Sequence, residues 1–241
     1  MRTRNAEFCN WLMSGCIRLK TVTKMTLHSS EHSDLPLPPH IEILLSQCNG
    51  KVDWHQIFGN KKPVEIEIGS GKGRFIIQRS IAYPDRNYLG IERAQKYFRI
   101  LKQRVVQSSA LNVRLIRTDA AHFIRTYVPL CSVSAYHIYF PDPWPKKRHH
   151  KRRLITPEFL AILAATLVPG GSIFFATDFK EYFDLMISHA RSCASLQETL
   201  CTTVSPSTVN PEYATTHYER KYLLHSRDIF KAAYEKTDTT A

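Results

Sequence analysis

The sequence predicts an α/β protein built on a mostly parallel β-sheet with helices on both faces. Three observations carry this. Apolar strand-like runs alternate with amphipathic helical runs through the middle of the chain, a pattern that sets consecutive strands parallel and covers the sheet on both sides. A glycine-rich turn, Gly69-Ser70-Gly71-Lys72-Gly73, follows the first of these strands and opens the first of these helices, where open parallel sheets bind ligands. The chain has 241 residues, 43% of them apolar, enough for one α/β domain with short extensions.

The elements follow in order. Residues 1–24 hold five Lys/Arg and one acid. They read as a dispensable segment or an over-extended start upstream of Met25, with a transit-like basic arm as the alternative. Residues 28–40 carry Pro36, Pro38 and Pro39 and read as a linker. Residues 41–48 suggest a short helix. Residues 64–68 are a strand ending at Gly69, and 72–81 a helix. A strand over 87–91 leads to an amphipathic helix over 94–107, a strand over 113–117 to a helix over 120–127. A strand over 135–140 comes next. Pro157 behind a Thr156 cap starts a helix that runs to residue 167, where Pro169-Gly170-Gly171 stops it. A strand over 172–177 and a helix over 180–193 complete the alternation. Residues 205–219 read as a loop and 229–235 as a late strand. The domain boundaries that result are 1–50 for an extension and linker, 51–236 for the folded domain and 237–241 for a frayed tail.

Composition narrows the partners. Formal net charge is +12, which points to a polyanion. No apolar run approaches the roughly 18 residues of a membrane span. The six cysteines (Cys9, Cys16, Cys48, Cys131, Cys193 and Cys201) form no C-x-x-C pair; they read as reduced thiols in a cytoplasmic protein. The eleven histidines form no H-E-x-x-H pattern, so the sequence indicates no metal chemistry.

The chemistry sits at strand ends. Glu67 precedes the glycine turn, Glu92 ends the second strand and Asp119 the third. Glycines let a ligand approach the backbone. An acid ending the second strand can accept from both ribose hydroxyls, and one ending the third from an adenine amino group. A Walker loop fails, because no Ser/Thr follows Lys72. A dinucleotide fits less well: the spacing is G-x-G-x-G, and Glu67 would repel a pyrophosphate at a helix N-terminus. S-adenosylmethionine, with an adenosine, a sulfonium and a free ammonium, suits an acid there. The alternative is a plain strand-turn-helix with surface acids.

At the fourth strand end the chain reads Phe140-Pro141-Asp142-Pro143-Trp144, then six Lys/Arg and two His from Lys146 to Arg153. The prolines restrict the backbone around Asp142. Methyl transfer to a ring nitrogen with a free lone pair, such as guanine N7, needs alignment rather than a general base. A carboxylate on the N1/N2 edge would hold guanine and stabilise the positive charge that develops. The basic run reads as a phosphate clamp, since six cations in eight residues repel one another without anions nearby. Trp144 reads equally as a stacking surface or as loop packing. Asp178 reads as a site residue or as a helix cap. Thr216-His217-Tyr218-Glu219 reads as strand-edge charge pairing or as substrate contact.

The whole set resembles the tRNA (guanine-N7)-methyltransferase family. The matching motifs are Phe58-Gly59-Asn60, Glu65 through Gly73, Gly90-Ile91-Glu92, Thr118-Asp119-Ala120, Phe140 through Trp144 with its basic tail, Ala176-Thr177-Asp178 and Thr216 through Glu219. They run in order over roughly residues 54–235. The resemblance implies a Rossmann-like class I methyltransferase fold, seven-stranded with an antiparallel C-terminal strand. It implies S-adenosylmethionine as donor and guanine at position 46 of the tRNA variable loop as acceptor. It implies that Glu67, Gly69, Gly71, Glu92, Asp119 and Asp142 hold the cofactor, with Asp142 catalytic. Lys146, Asp178, Thr216, His217, Tyr218 and Glu219 would meet the substrate. It requires no metal, membrane or protein partner, and suits a monomer or weak homodimer. Two departures stand out: Pro145, where the family often has His or another polar residue, and Lys221-Tyr222-Leu223, where a glycine-containing pattern is usual. The competing activities are an amino-methyltransferase acting on adenine or cytosine, whose strand end usually carries a second proline, and an RNA-binding protein with a decayed cofactor fold.

Overall fold

The computed structural model describes residues 41–108 and 110–237. Eight strands form one sheet: β1 (Glu42–Ile43), β2 (Val64–Ile68), β3 (Asn87–Ile91), β4 (Val113–Ile116), β5 (Val133–Tyr139), β6 (Leu167–Thr177), β7 (Leu196–Val204) and β8 (Ile229–Lys236), in the order β1-β4-β3-β2-β5-β6-β8-β7. β8 pairs antiparallel with both β6 and β7. The other pairings, β1–β4, β4–β3, β3–β2, β2–β5 and β5–β6, are parallel. The chain therefore has the expected parallel sheet with an antiparallel C-terminal strand, plus β1 as an eighth strand at one edge.

Seven α-helices are described: α1 (Trp54–Phe58), α2 (Arg74–Ala82), α3 (Gln95–Gln107), α4 (Ala120–Tyr127), α5 (Pro157–Thr166), α6 (Lys180–Arg191) and α7 (His217–Leu224). Period-two alternation along β2 sends Val64, Ile66 and Ile68 into a large core with residues of α4, α5 and α6. Glu65 and Glu67 therefore point to the other face. That face is filled by residues of α2 and α3 around Leu101 and Tyr88, and by a smaller cluster of Phe75, Tyr139 and Leu223. Every residue of β2 and β3 is buried, as expected of central strands covered on both sides.

Five sequence expectations change. Residues 41–48 are not a helix: Glu42 and Ile43 pair with Leu115 and Ile116, and Leu45–Gln47 form a single 3-10 turn. Ile41 is buried, so the packed fold begins within the stretch read as extension and linker. Residues 196–204 form β7. The segment expected to be a loop over 205–219 contains the start of α7, which Thr216 caps by accepting from the Glu219 N–H. Finally, β6 starts at Leu167, before the Pro169-Gly170-Gly171 stop. Its pairing with β5 jumps from Val133–Leu167 to Ala135–Ser172, a bulge that accommodates the stop. Gly170 sits there at φ 69°.

α5 starts as expected, with the Thr156 hydroxyl accepting from the Phe159 N–H and Pro157 in the first turn. Of the tail assigned to residues 237–241, Thr237 donates its N–H to the Ser195 carbonyl at 3.0 Å; residues 238–241 lie outside the described residues, as do the arm over 1–24 and the linker over 28–40.

Candidate active site

The carboxyl ends of β2, β3, β4 and β5 converge on one cavity of about 1090 Å³. Its walls include the glycine turn, Glu67, Glu92, Asp119, Asp142 and Tyr218. The sequence separates these residues widely; the parallel topology brings them to one edge, as strand ends in such a sheet must be.

The turn is built from left-handed residues. Gly69, Gly71 and Gly73 have φ of 78°, 53° and 76°, a region that disfavours any other side chain. A Cβ on Gly69 would meet nothing within 4 Å, so the space above it is open. Gly73 is different, because a Cβ there would lie 2.4 Å from Leu101 Cδ1; this glycine allows α2 and α3 to pack. The turn is tied to β3 by the Gly69 N–H donating to the Ile91 carbonyl at 2.8 Å. Glu92 ties it again, its Oε2 accepting from the Gly71 N–H at 2.9 Å and its Oε1 from the Ala94 N–H at 2.7 Å. Each carboxylate oxygen retains a lone pair for a further donor.

Glu67 is buried, and its Oε2 finds no hydrogen-bond partner among the described residues. Its pKa is pushed up to about 8, chiefly by burial; the Glu92 charge adds to this and a Ser70 hydrogen bond opposes it. A buried acid with an orphaned oxygen in the wall of an open cavity calls for a cationic donor. The ammonium of S-adenosylmethionine has that chemistry, so the residues present fit this cofactor. Asp119 is exposed at the cavity edge and also caps α4, accepting from the His122 N–H at 3.0 Å.

The segment bearing Asp142 is bracketed by two non-glycine residues in the left-handed region, Phe140 at φ 52° and Trp144 at φ 44°. Such conformations persist only when the surroundings enforce them. Phe140 is held by its N–H donating to the Ala176 carbonyl at 2.7 Å and by ring contacts to Tyr222 at 5.5 Å and Tyr218 at 6.0 Å. Trp144 lines the cavity with the Arg152 guanidinium 4.9 Å over its ring and His149 edge-on at 5.7 Å. Trp144 thus packs its own loop, as one of its readings expects, and also forms part of the cavity wall.

The basic run forms a 3-10 helix, Lys147–Arg152. Lys146, Lys147, Arg148 and Lys151 are exposed. Arg153 is not available as a clamp. It is buried, donates to the Pro143 carbonyl and to Glu181, each at 2.9 Å, and lies 4.9 Å over the Tyr182 ring. It pins the loop so that Asp142 keeps its place.

Three expected substrate residues sit elsewhere than the cavity wall. Lys146 is exposed on the basic loop, outside the cavity lining. Asp178 does not cap α6; the Phe179 N–H goes to the Thr177 hydroxyl instead, and the Asp178 carboxylate pairs with Arg227 at 2.7 Å. Glu219 is buried against Lys231 at 2.7 Å and accepts from the Thr215 N–H and hydroxyl. Burial would raise its pKa; the Lys231 ammonium and the Thr215 bonds outweigh that and hold it low. Its carboxylate is therefore engaged in anchoring α7 to β8, behind the cavity-lining Thr216, His217 and Tyr218. Thr216, His217 and Tyr218 do line the cavity.

One constellation was missed in the sequence. Glu65, wholly buried, accepts from Arg86 at 2.7 Å, His137 at 2.8 Å and Arg79 at 3.4 Å. Burial alone would raise the Glu65 pKa, but the His137 bond and the neighbouring positive charges drive it far below the carboxylate range. His137 is pushed down, mainly by burial. A neutral imidazole donates from Nε2 to Glu65 and accepts at Nδ1 from the Tyr139 hydroxyl, 3.0 Å away. Tyr139 lines the cavity, so this network fixes one of its walls from beneath.

A parallel sheet, a glycine turn between buried acids and a carboxylate at the fourth strand end of this site define a class I S-adenosylmethionine-dependent methyltransferase. Comparison with known proteins makes the assignment particular. Residues 61–232 match the family model described as "Putative methyltransferase". The tRNA (guanine-N(7)-)-methyltransferase of Alkalilimnicola ehrlichii is 35% identical over 188 residues, 78% of this chain and 78% of that protein. That of Levilactobacillus brevis is 37% identical over 172 residues, 71% of this chain and 80% of that protein. The solved structure of the 16S rRNA methyltransferase KamB superposes with a TM-score of 0.56 at 16% identity, covering 78% of this chain and 94% of that one. At that identity the likeness concerns the fold alone. The chain belongs to the tRNA (guanine-N(7)-)-methyltransferase family; it is an enzyme, and S-adenosylmethionine is its methyl donor.

Proposed function

We propose that this enzyme methylates N7 of guanine at position 46 of the tRNA variable loop, with Asp142 as the residue that holds the base. The observation that supports this most is that Asp142 shares a single cavity with the cofactor turn while the cationic 3-10 helix begins a few residues beyond it. When bound, S-adenosylmethionine supplies an electrophilic methyl carbon on a sulfonium. Glu67 would meet its ammonium, Glu92 its ribose and Asp119 its adenine, over the open backbone of Gly69 and Gly71.

Guanine N7 attacks with its own lone pair, so no residue need remove a proton there. Transfer would form the N7–C bond as the C–S bond breaks, with S-adenosylhomocysteine as leaving group, and would make the base cationic. Asp142 accepts hydrogen bonds from the N1–H and the N2 amino group, aligning N7 and stabilising the positive charge as it grows. Adenine offers no such donor pair on that edge. Thr216, His217 and Tyr218 border the base. Lys146, Lys147, Arg148 and Lys151 neutralise phosphates outside the cavity, while Asp178, paired with Arg227, steadies the adjoining strand end.

Among the described residues no helix is long and apolar enough to cross a membrane. The thiols of Cys48, Cys131, Cys193 and Cys201 are free. A tRNA substrate supports a cytoplasmic enzyme, and a monomer or weak homodimer belongs to the same proposal. A tRNA transcript tests the acceptor position. Replacing its guanine 46 by adenine should abolish methyl acceptance, and undiminished acceptance would overturn the assignment of position.

A further inference from the structure

A second set of basic residues gathers at one side of the cavity, apart from the loop after β5. Its members come from four places in the chain: Lys72 in the glycine turn, Arg74 at the start of α2, Arg104 on α3 and His217 at the start of α7. Lys72, Arg74 and His217 line the cavity, as does the exposed Lys221 one turn further along α7.

The contacts show how the set is held. Arg104 Nη1 donates to the Lys72 carbonyl at 2.7 Å and lies 2.8 Å from His217 Nε2. A guanidinium can only donate, so Nε2 accepts and the His217 proton resides on Nδ1. Burial and the surrounding charges of Arg104, Arg74, Lys72 and Arg220 all favour this neutral form. Arg74 directs its guanidinium to the carbonyls of Ala214 at 3.0 Å and Glu212 at 3.2 Å. The nearby carboxylate of Glu212 is bound by Arg220 at 2.5 Å. Among the described residues, no carboxylate forms an ion pair with Lys72, Arg74 or Arg104.

Two guanidiniums held on backbone carbonyls, with the exposed Lys72 ammonium beside them, repel one another; Glu212, already bound by Arg220, is the acid near Arg74, and Lys72 and Arg74 turn donors to the cavity. Such an arrangement is relieved by an oxyanion. The cofactor has one, its carboxylate, and RNA has many. The set includes the exposed Lys72, with the exposed Lys221 in the same cavity wall, and exposed ammoniums suit an RNA backbone phosphate better than a carboxylate enclosed over the turn. It also flanks Tyr218 on the side of the glycine turn, whereas the basic 3-10 helix follows β5.

We propose that Lys72, Arg74, Arg104 and His217 form a phosphate subsite that grips the RNA backbone beside the target nucleotide. The inference rests on the tRNA reading above. The target guanosine is then held between two cationic clamps, this one and the loop beyond Asp142.

The test is tRNA binding by the full chain across a salt series, with S-adenosylhomocysteine binding measured separately by calorimetry. Arg104→Gln and Lys72→Gln should each weaken tRNA binding about tenfold at low salt and reduce the salt slope by about one. Arg104→Lys should keep most of the slope, and in each variant S-adenosylhomocysteine affinity should fall far less than tRNA affinity. The Lys72 side chain accepts no structural role in the packing of α2 on α3, so its variant gives the same reading if the Arg104 variant fails to fold. An unchanged slope in the Lys72 variant, or a loss confined to S-adenosylhomocysteine, would overturn the subsite. A parent protein that shows no salt-dependent tRNA binding would instead overturn the tRNA reading on which the subsite rests.

Discussion

Glu67 is the residue whose isolation says most about the site. Its pKa of about 8 exceeds the ordinary carboxylate value, so the folded protein without cofactor holds this proton more tightly than the unfolded chain does. Stability of the cofactor-free protein should therefore fall as pH rises from about 4.5 to about 8. A bound ammonium reverses the balance by favouring the ionised carboxylate. Binding of S-adenosylhomocysteine near neutral pH should release a proton, seen as a dependence of calorimetric heat on buffer ionisation enthalpy. Its affinity should tighten towards pH 8. Glu67→Gln should abolish that dependence and weaken binding by about tenfold or more, the worth of a hydrogen bond to a charged group. Asp142→Ala should lose nearly all turnover while tRNA affinity changes little, since the cations lie on other residues; normal turnover in this variant would remove Asp142 from its central role. The four strand-end acids were legible because strand, glycine spacing and acid sit together in sequence. Glu65 and His137 were not, because no local pattern joins residues 72 positions apart. Two glutamates on one face of a buried strand were the available clue. Arg153 was equally hidden: within a basic run, only tertiary contact with Glu181 and Pro143 distinguishes it.

α7 depends on one buried ion pair. Glu219 and Lys231 bind each other between α7 and β8, away from water. Removing one partner leaves the other charge buried and unpaired, which costs about 3–5 kcal/mol. Glu219→Gln or Lys231→Met should lower chemical-denaturation stability by an amount of that order. The double replacement should cost clearly less than the sum. Glu219 has its pKa held low, so the pair's contribution is present above the ordinary carboxylate pKa and is lost as pH falls below it. Gly73→Ala should destabilise the protein by about 1–3 kcal/mol, combining a left-handed backbone with the clash against Leu101; wild-type stability in that variant would contradict the packing described for α2 and α3. The long alternating elements were readable from periodicity, and the missed ones share a cause. α1 spans five residues and β1 two, too short for a period to register. β7 alternates in burial but is built largely of Gln, Glu and Thr, so it lacks the apolar run that marks a strand. The Thr216-x-x-Glu219 spacing is that of a helix capping box, a local signal of α7 that the expectation of a loop overlooks.

The whole molecule presents a polycation of formal charge +12 with its cavity at the carboxyl edge of the sheet. The parallel topology was legible from the alternation of elements alone. The convergence of Lys72, Arg74, Arg104 and His217 was not, since it exists only once α7 returns to the glycine turn. RNA affinity should decline steeply with salt as phosphate counterions are released. Lys147→Ala with Arg148→Ala should reduce the slope by about two, one for each cation removed from the phosphates. Incubation of the purified enzyme with methyl-labelled S-adenosylmethionine and bulk tRNA, followed by nucleoside analysis, shows which base is methylated. The expected result is label recovered as 7-methylguanosine. Label in a methylated adenosine or cytidine, or none from a folded protein that binds S-adenosylhomocysteine, would contradict it.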